Sequence, residues 1–241
     1  MCYNLKQRGG SMKTFFFDLD DTLIKLNWPI FEKAYYSGLG KAYSFLIPKE
    51  KVIAYIYQSY LYMIKVNDHR TNKDKFYDKM TELSGVQRDI LINEEAKYYS
   101  GAYDKLQKIT EPMVNMVRGV KVLQEKGYQM LIASQPIFPA MATEKRLAWL
   151  GFSPEDFLKV TSFETERSSK PWPEFYQSLL DEFGLDPLDC VMVGNDRKED
   201  MVAVTLGMEG ILITDELIDS DDSFICREMT SERFLTYVSE L

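Results

Sequence analysis

Residues 14–22 read Thr-Phe-Phe-Phe-Asp-Leu-Asp-Asp-Thr. A run of apolar, β-forming residues ends abruptly in three carboxylates and a hydroxyl. Along an extended segment alternate side chains share a face, so Asp18 and Asp20 point one way and Asp21 the other. Two carboxylates 4 Å apart repel by about 1 kcal/mol in bulk water and about 4 kcal/mol at an effective dielectric of about 20. A cation relieves that repulsion, and hard divalent ions such as Mg²⁺ choose oxygen ligands of this kind. The stretch therefore points to a magnesium site at the carboxyl end of a buried strand.

Working outward, the alternation of strand and helix signals sets the architecture. Lys13–Asp18 predicts the first strand. After Pro112 the pattern predicts helix Val114–Lys126, strand Tyr128–Ser134, helix Pro139–Leu150 and short strand Leu158–Ser162. Helix Pro173–Phe183, strand Cys190–Gly194, helix Asp196–Leu206, strand Gly210–Thr214 and helix Ser231–Leu241 follow. Gly127, Gly151 and Gly184 stand where helix-ending glycines belong, and Pro173 suits a first turn. Strands alternating with helices imply an α/β fold: a Rossmann-like, three-layer core around a mainly parallel sheet.

Between Lys25 and Ile109 the texture differs. Val52, Ile56, Ser59, Tyr60, Met63 and Val66 recur at helical spacing, the region holds eleven of the fifteen tyrosines, and no convincing strand is visible. It reads as an all-helical insertion of four or five helices. The chain thus divides into a core of residues 12–24 and 110–241, a helical domain of residues 25–109, and a tail of residues 1–11, with Met12 a candidate natural start. The insertion is net +4 and the remainder net −12, giving −8 in all. The positive insertion is either an ordinary solvated surface or a lid that attracts an anionic substrate.

Composition narrows the function. With 45% hydrophobic and 27% charged residues, the chain is that of a globular protein. Its acidic balance argues against a nucleic-acid or anionic-membrane binder. No apolar run approaches the ~18 residues of a membrane span, and the first eleven residues lack a signal-peptide core. Cys2, Cys190 and Cys226 have no paired spacing, which suits reduced thiols in the cytoplasm. A single histidine, His69, leaves no room for His-based triads.

In open parallel sheets ligands bind beyond the carboxyl ends of the strands. Past the first strand come Asp18, Asp20 and Thr22; past the second, Ser134 and Gln135. Lys170 lies between the third strand and its helix. Past the fourth come Asn195 and Asp196, with Asp200 a turn later. These parts fit phosphate chemistry. Ser134 and Lys170 donate to phosphate oxygens. Asp18, the main-chain carbonyl of Asp20, and Asp196 form an oxygen set for Mg²⁺. Asp18 attacks phosphorus to form an aspartyl-phosphate, and Asp20 protonates the leaving oxygen and then activates water. Taken singly, each position has a plainer reading: an acidic turn, a surface lysine, or helix caps at Ser134 and Asp196. Asp196 can cap and ligate through different oxygens.

The four segments together resemble the haloacid dehalogenase superfamily. Phe-Asp-Leu-Asp-Asp-Thr-Leu (17–23) is similar to its first motif, Ser134 to the second, Lys170-Pro171 to the third, and Gly194-Asn195-Asp196 with Asp200 to the fourth. The resemblance implies Asp18 as nucleophile, Asp20 as acid/base, and Ser134, Gln135, Lys170 and Thr22 around the phosphate. It implies Mg²⁺ at Asp18, Asp20 and Asp196, with Asn195 and Asp200 behind. Asp200 would ligate through water or orient Lys170. A helical insertion after the first motif resembles the family's type I cap. Gln135 stands where Asn is common, and Trp172, between two prolines and bulky so near the lysine, is a candidate to line the pocket. The founding dehalogenases lack an acid/base Asp two residues after the nucleophile; Asp20 is present here, which favours phosphoryl transfer. The expected activity is hydrolysis of a small phosphorylated metabolite. A phosphomutase or phosphotransferase, or a weakly catalytic phosphate-binding regulator, is the alternative.

Overall fold

The computed structural model describes residues 12–241; the tail expected over residues 1–11 lies outside them. In chain order the strands are β1 (Thr14–Phe17), β2 (Ile24–Leu26), β3 (Thr110–Pro112), β4 (Gln129–Ile132), β5 (Lys159–Val160), β6 (Cys190–Gly194), β7 (Glu209–Ile213) and β8 (Arg227–Met229). The helices are α1 (Trp28–Tyr43), α2 (Lys49–Lys65), α3 (Asn72–Ser84), α4 (Arg88–Ser100), α5 (Val114–Glu125), α6 (Ala140–Trp149), α7 (Pro173–Phe183) and α8 (Ser231–Glu240). Six strands form one sheet in the order β5-β4-β1-β6-β7-β8, and every pairing in it is parallel.

β1 sits inside this sheet because its residues are apolar on both faces. Phe15 and Phe17 belong to a core shared with α5, α6 and α8, whereas Phe16 belongs to a second core with Phe175, Tyr176, Leu179 and Leu180 of α7. Phe17 meets Phe234 of α8 edge-on, ring centroids 6.0 Å apart. All three phenylalanines are fully buried, each contributing about 1.5–3 kcal/mol. Helices therefore cover both faces, which is the three-layer α/β arrangement. Gly127, Gly151 and Gly184 all have positive φ, the conformation that ends a helix without a Cβ penalty.

Three differences from the sequence reading have local causes. The insertion is helical, α1 to α4 plus a 3₁₀ segment over Ala102–Ile109, but a strand enters its first residues: β2 pairs antiparallel with β3, Lys25 opposite Glu111. Three-residue strands are too short to show a period. β8 is an edge strand of the same length that the sequence reading omitted. The helix expected over residues 196–206 is instead a turn followed by a 3₁₀ segment, Met201–Leu206, because Asp196 and Asp200 spend their carboxylates inside the site. Among the described residues no helix is long and apolar enough to cross a membrane.

The insertion docks on the loops that follow the sheet. Asn72, fully buried, places its amide nitrogen 3.1 Å from Pro136 O, 3.2 Å from Ser168 O and 3.1 Å from Ser169 Oγ. Lys75 donates to Arg167 O, and Trp172 Nε1 donates to Ile64 O at 3.1 Å. One side chain of α3 thus braces both the loop after β4 and the loop carrying Lys170.

Candidate active site

The parallel ladder continues one residue beyond the strand ends. Asp18 N donates to Val193 O at 2.9 Å, and Ala133 N donates to Phe17 O at 2.7 Å. Asp18, Ser134 and Asn195 therefore leave the sheet at the same edge. They open with Asp20, Gln135, Asp196, Glu199 and Asp200 into a pocket of about 240 Å³. A larger cavity, about 570 Å³, lies between α1, α4 and the 3₁₀ segment of the insertion and contains none of these carboxylates.

Lys170 is the electrostatic centre. It is 1% exposed, and its Nζ donates to Asp18 Oδ1 at 2.8 Å and to Asp200 Oδ1 at 2.6 Å. Burial works against its charge, but Asp18 and Asp200 outweigh burial and hold the ammonium well above the usual lysine range. Of three ammonium protons, two serve carboxylates and one remains. Asp200 completes the link: its Oδ2 accepts from Asp196 N at 2.9 Å. Burial pushes Asp200 up, opposed by Lys170. The close fit needs Gly194, where a Cβ would lie 2.1 Å from Asp200 Oδ2.

Asp20 faces a different cation. Its Oδ2 pairs with Arg146 of α6, while its Oδ1 is buried with no hydrogen-bond partner among the described residues. Burial pushes Asp20 up to about 6 against the pull of Arg146, with Asp18 adding to the rise. Asp21 turns away, as the alternation predicts. It adopts a left-handed φ of 57°, which Asp tolerates better than most residues, and accepts from Leu26 N at 2.8 Å and from Trp28 Nε1. It ties the first motif to the start of the insertion.

Residues 12–204 match the family of haloacid dehalogenase-like hydrolases. The chain belongs to that family. The hydrolase is 27% identical over 188 residues to the pyrophosphatase PpaX of Bacillus pumilus, covering 78% of this chain and 76% of the relative. It is 22% identical over 234 residues to a glyceraldehyde 3-phosphate phosphatase of Methanothermobacter thermautotrophicus, covering 95% and 98%. The fold is shared with an L-2-haloacid dehalogenase from Xanthobacter autotrophicus, solved with chloropropionic acid covalently bound. The TM-score is 0.59 at 14% identity, over 95% of this chain and 98% of that one.

Not every residue of the hydrolase marked in the sequence lies where the motif pattern puts it. Asp18, Asp20, Ser134, Asn195, Asp196 and Asp200 line one pocket, with Lys170 against Asp18. Thr22 is fully buried and turned inward. Its hydroxyl lies 3.0 Å from Asn195 Oδ1 and 3.3 Å from Asp18 Oδ2, which fixes Asp18 rather than reaching a phosphate. Gln135 spends its amide on the protein: Oε1 accepts from Lys170 N at 3.0 Å, and Nε2 donates to Lys170 O at 3.0 Å and Glu199 Oε2 at 3.1 Å. Its longer side chain clamps the Lys170 backbone. Asp196 uses Oδ1 to accept from Lys198 N and Glu199 N, both at 2.8 Å, leaving Oδ2 without a partner among the described residues. Trp172 does not line the pocket; Trp28 and Ile64 are the insertion's contribution.

Among the described residues no lysine or arginine of the insertion lines that pocket, so the positive-lid reading finds no support. Its two arginines pair with neighbours on its own surface, Arg70 with Asp68 and Asp78, Arg88 with Asp74. Two residues escaped the sequence reading. Glu199 lines the pocket and is pushed up to about 8 by burial, against Lys170. Arg146 did leave a signal: it falls on the stripe of small or apolar residues Ala142, Thr143 and Leu147 at helical spacing in α6.

Proposed function

We propose that this hydrolase is a Mg²⁺-dependent phosphatase that cleaves a small phosphorylated metabolite through an aspartyl-phosphate on Asp18. The observation that carries this reading is the pairing of two carboxylates on one pocket with separate cations, Asp18 with Lys170 and Asp20 with Arg146. The fold alone does not choose the chemistry, since a dehalogenase shares it. A second carboxyl beside the nucleophile favours phosphate esters, whose leaving oxygen needs a proton. Both curated relatives are named for phosphate substrates.

Asp18 bonds to phosphorus as the ester oxygen departs, and Asp20 gives that oxygen a proton. Asp20 then takes a proton from the water that attacks the phosphorus of the intermediate. A carboxyl raised toward neutrality suits both transfers. Ser134 Oγ and the third proton of Lys170 are available to phosphate oxygens. The insertion acts as a cap, with Trp28 and Ile64 over the reacting groups to exclude water.

The donor set suits a hard cation. No cluster of three metal-type side chains occurs among the described residues, but two carboxylates and a carbonyl oxygen make an all-oxygen set. Asp18 Oδ2, the Asp20 carbonyl and Asp196 Oδ2 would hold Mg²⁺, which offsets phosphate charge so that an anionic nucleophile can approach. Gln135, by supporting Lys170, gives no reason to read the protein as a non-catalytic binder.

The test is phosphate release from p-nitrophenyl phosphate and a panel of phosphorylated metabolites, with Mg²⁺ and with chelator. Release that requires Mg²⁺ and disappears in Asp18→Asn is expected. Undiminished release in that variant would remove the mechanism.

A further inference from the structure

Arg146 is a guanidinium with nowhere else to be. It is fully buried, on the inward face of α6, and Asp20 is its only carboxylate partner among the described residues. The rest of its fork is fixed locally. Nη2 reaches Thr143 Oγ1 at 3.3 Å, Nε reaches Ala142 O at 3.4 Å, and the guanidinium carbon stands 4.4 Å from the Phe138 ring centroid. Such a planar fork cannot follow a wandering carboxylate, so it holds its partner in one orientation. No other described residue hydrogen-bonds the Asp20 carboxylate; the second oxygen is buried and unpartnered. Lys170, which holds Asp18, does not touch Asp20. Phe138, under the guanidinium, is also part of the pocket wall.

We infer that Arg146 is a positioning residue for proton transfer: it fixes the Asp20 carboxyl against the pocket, and without it Asp20 no longer meets the leaving oxygen. The inference rests on the phosphatase reading above. In the first step the phosphorus–oxygen bond to the leaving group breaks as the bond to Asp18 forms, and the proton passes from Asp20 to the departing oxygen. In the second step water adds to phosphorus, its proton returns to Asp20, and the bond to Asp18 breaks. Arg146 keeps all its protons throughout, as arginine does in proteins.

A role through Asp20 has a signature that mere structural support lacks. p-Nitrophenolate leaves as a stable anion and needs little protonation; an alkoxide needs a full proton. General acid–base catalysis is worth roughly 10²–10⁴-fold. With Mg²⁺ present, Arg146→Met should lower kcat for glycerol phosphate by about 10²-fold or more on that scale. The pre-steady-state burst of nitrophenolate, which reports only the first step, should fall by less than about tenfold. In an Asp20→Asn background Arg146→Met should add almost no further loss, because the two residues act as one unit. Arg146→Lys keeps the charge but not the fork. It should fold where the methionine variant does not, and should show the same bias between esters in weaker form.

Equal losses for the alkyl ester and the aryl burst would overturn the inference, as would losses that multiply in the double variant. Failure of the unaltered protein to turn over either ester removes the phosphatase reading and this inference together. Equal losses in an active enzyme remove this inference alone.

Discussion

Gly194→Ala puts one methyl group where the site has no space. The new Cβ would lie 2.1 Å from Asp200 Oδ2, 2.3 Å from its Cγ and 2.7 Å from its Cβ. Ordinary contact begins near 3.4 Å, so the Asp200 carboxylate must retreat by about 1 Å or more from a position with no slack. Two interactions weaken together: the 2.6 Å bond from Lys170 and the 2.9 Å bond from Asp196 N. An unpaired buried N–H costs about 1–3 kcal/mol, and loosening a buried ion pair adds to that, for a total of about 3 kcal/mol. Lys170 then leans toward Asp18 alone, and a displacement near 1 Å at a reacting centre lowers turnover by about 10²-fold. Urea unfolding gives the first quantity and steady-state phosphate release the second. In an Asp200→Gly background, which deletes all three clashing atoms, the same alanine should cost less than about 1 kcal/mol. If Gly194→Ala leaves stability within about 0.5 kcal/mol and activity within twofold, the packing at the lysine is misjudged. A full penalty that persists without the Asp200 side chain leads to the same conclusion.

Three further outcomes follow from particular side chains. Glu95, buried in the insertion and accepting from Tyr77 OH, is pushed by burial from 4.5 to about 8. The folded protein therefore binds the extra proton, and stability falls as pH rises from about 4.5 to about 8. The rise corresponds to about 5 kcal/mol, so the advantage of Glu95→Gln in urea unfolding should grow across that window and vanish below it; a pH-independent difference contradicts the assignment. The pocket's outer wall is apolar, with Trp28, Ile64, Ile137, Phe138 and Ile218, so esters of uncharged alcohols should show higher kcat/KM than carboxylated esters or pyrophosphate. Ile64→Arg should narrow that gap; a wild-type preference for the doubly anionic substrates would contradict it. Thr22→Val removes the hydroxyl that ties Asp18 to Asn195 and should lower kcat about tenfold with KM little changed, measured by initial rates.

The parts of the fold that show in the sequence are those with enough residues to display a rule. The Phe run of β1, the five-residue β6 and the glycines that end α5, α6 and α7 are read correctly because each obeys one local constraint. β2, β3 and β8 have three residues each, too few for alternation to appear, and their pairing depends on partners distant in the chain. The segment after Asp196 misleads for a different reason. Its composition is helical, but Asp196 caps Lys198 and Glu199 while Asp200 turns in to Lys170, and that site geometry overrides propensity. Asp18, Asp20 and Asp196 are legible because they stand just past a strand, whereas Glu199, inside the turn beyond β6, is not. The roles of Gln135 and Thr22 are not, since the direction of an amide or hydroxyl depends on neighbours 35 and 173 positions away. Arg146 is intermediate: its place on a stripe of small or apolar residues marks it as unusual, but only the fold reveals Asp20 as its partner.

The nature of the covalent intermediate tests the mechanism most directly. Acid-quenched samples taken during turnover of p-nitrophenyl phosphate with Mg²⁺, digested and weighed, should carry one phosphoryl group on the peptide containing Asp18, and none in Asp18→Asn. Turnover with no such adduct under conditions that preserve acyl phosphates, or an adduct on another residue, would contradict it.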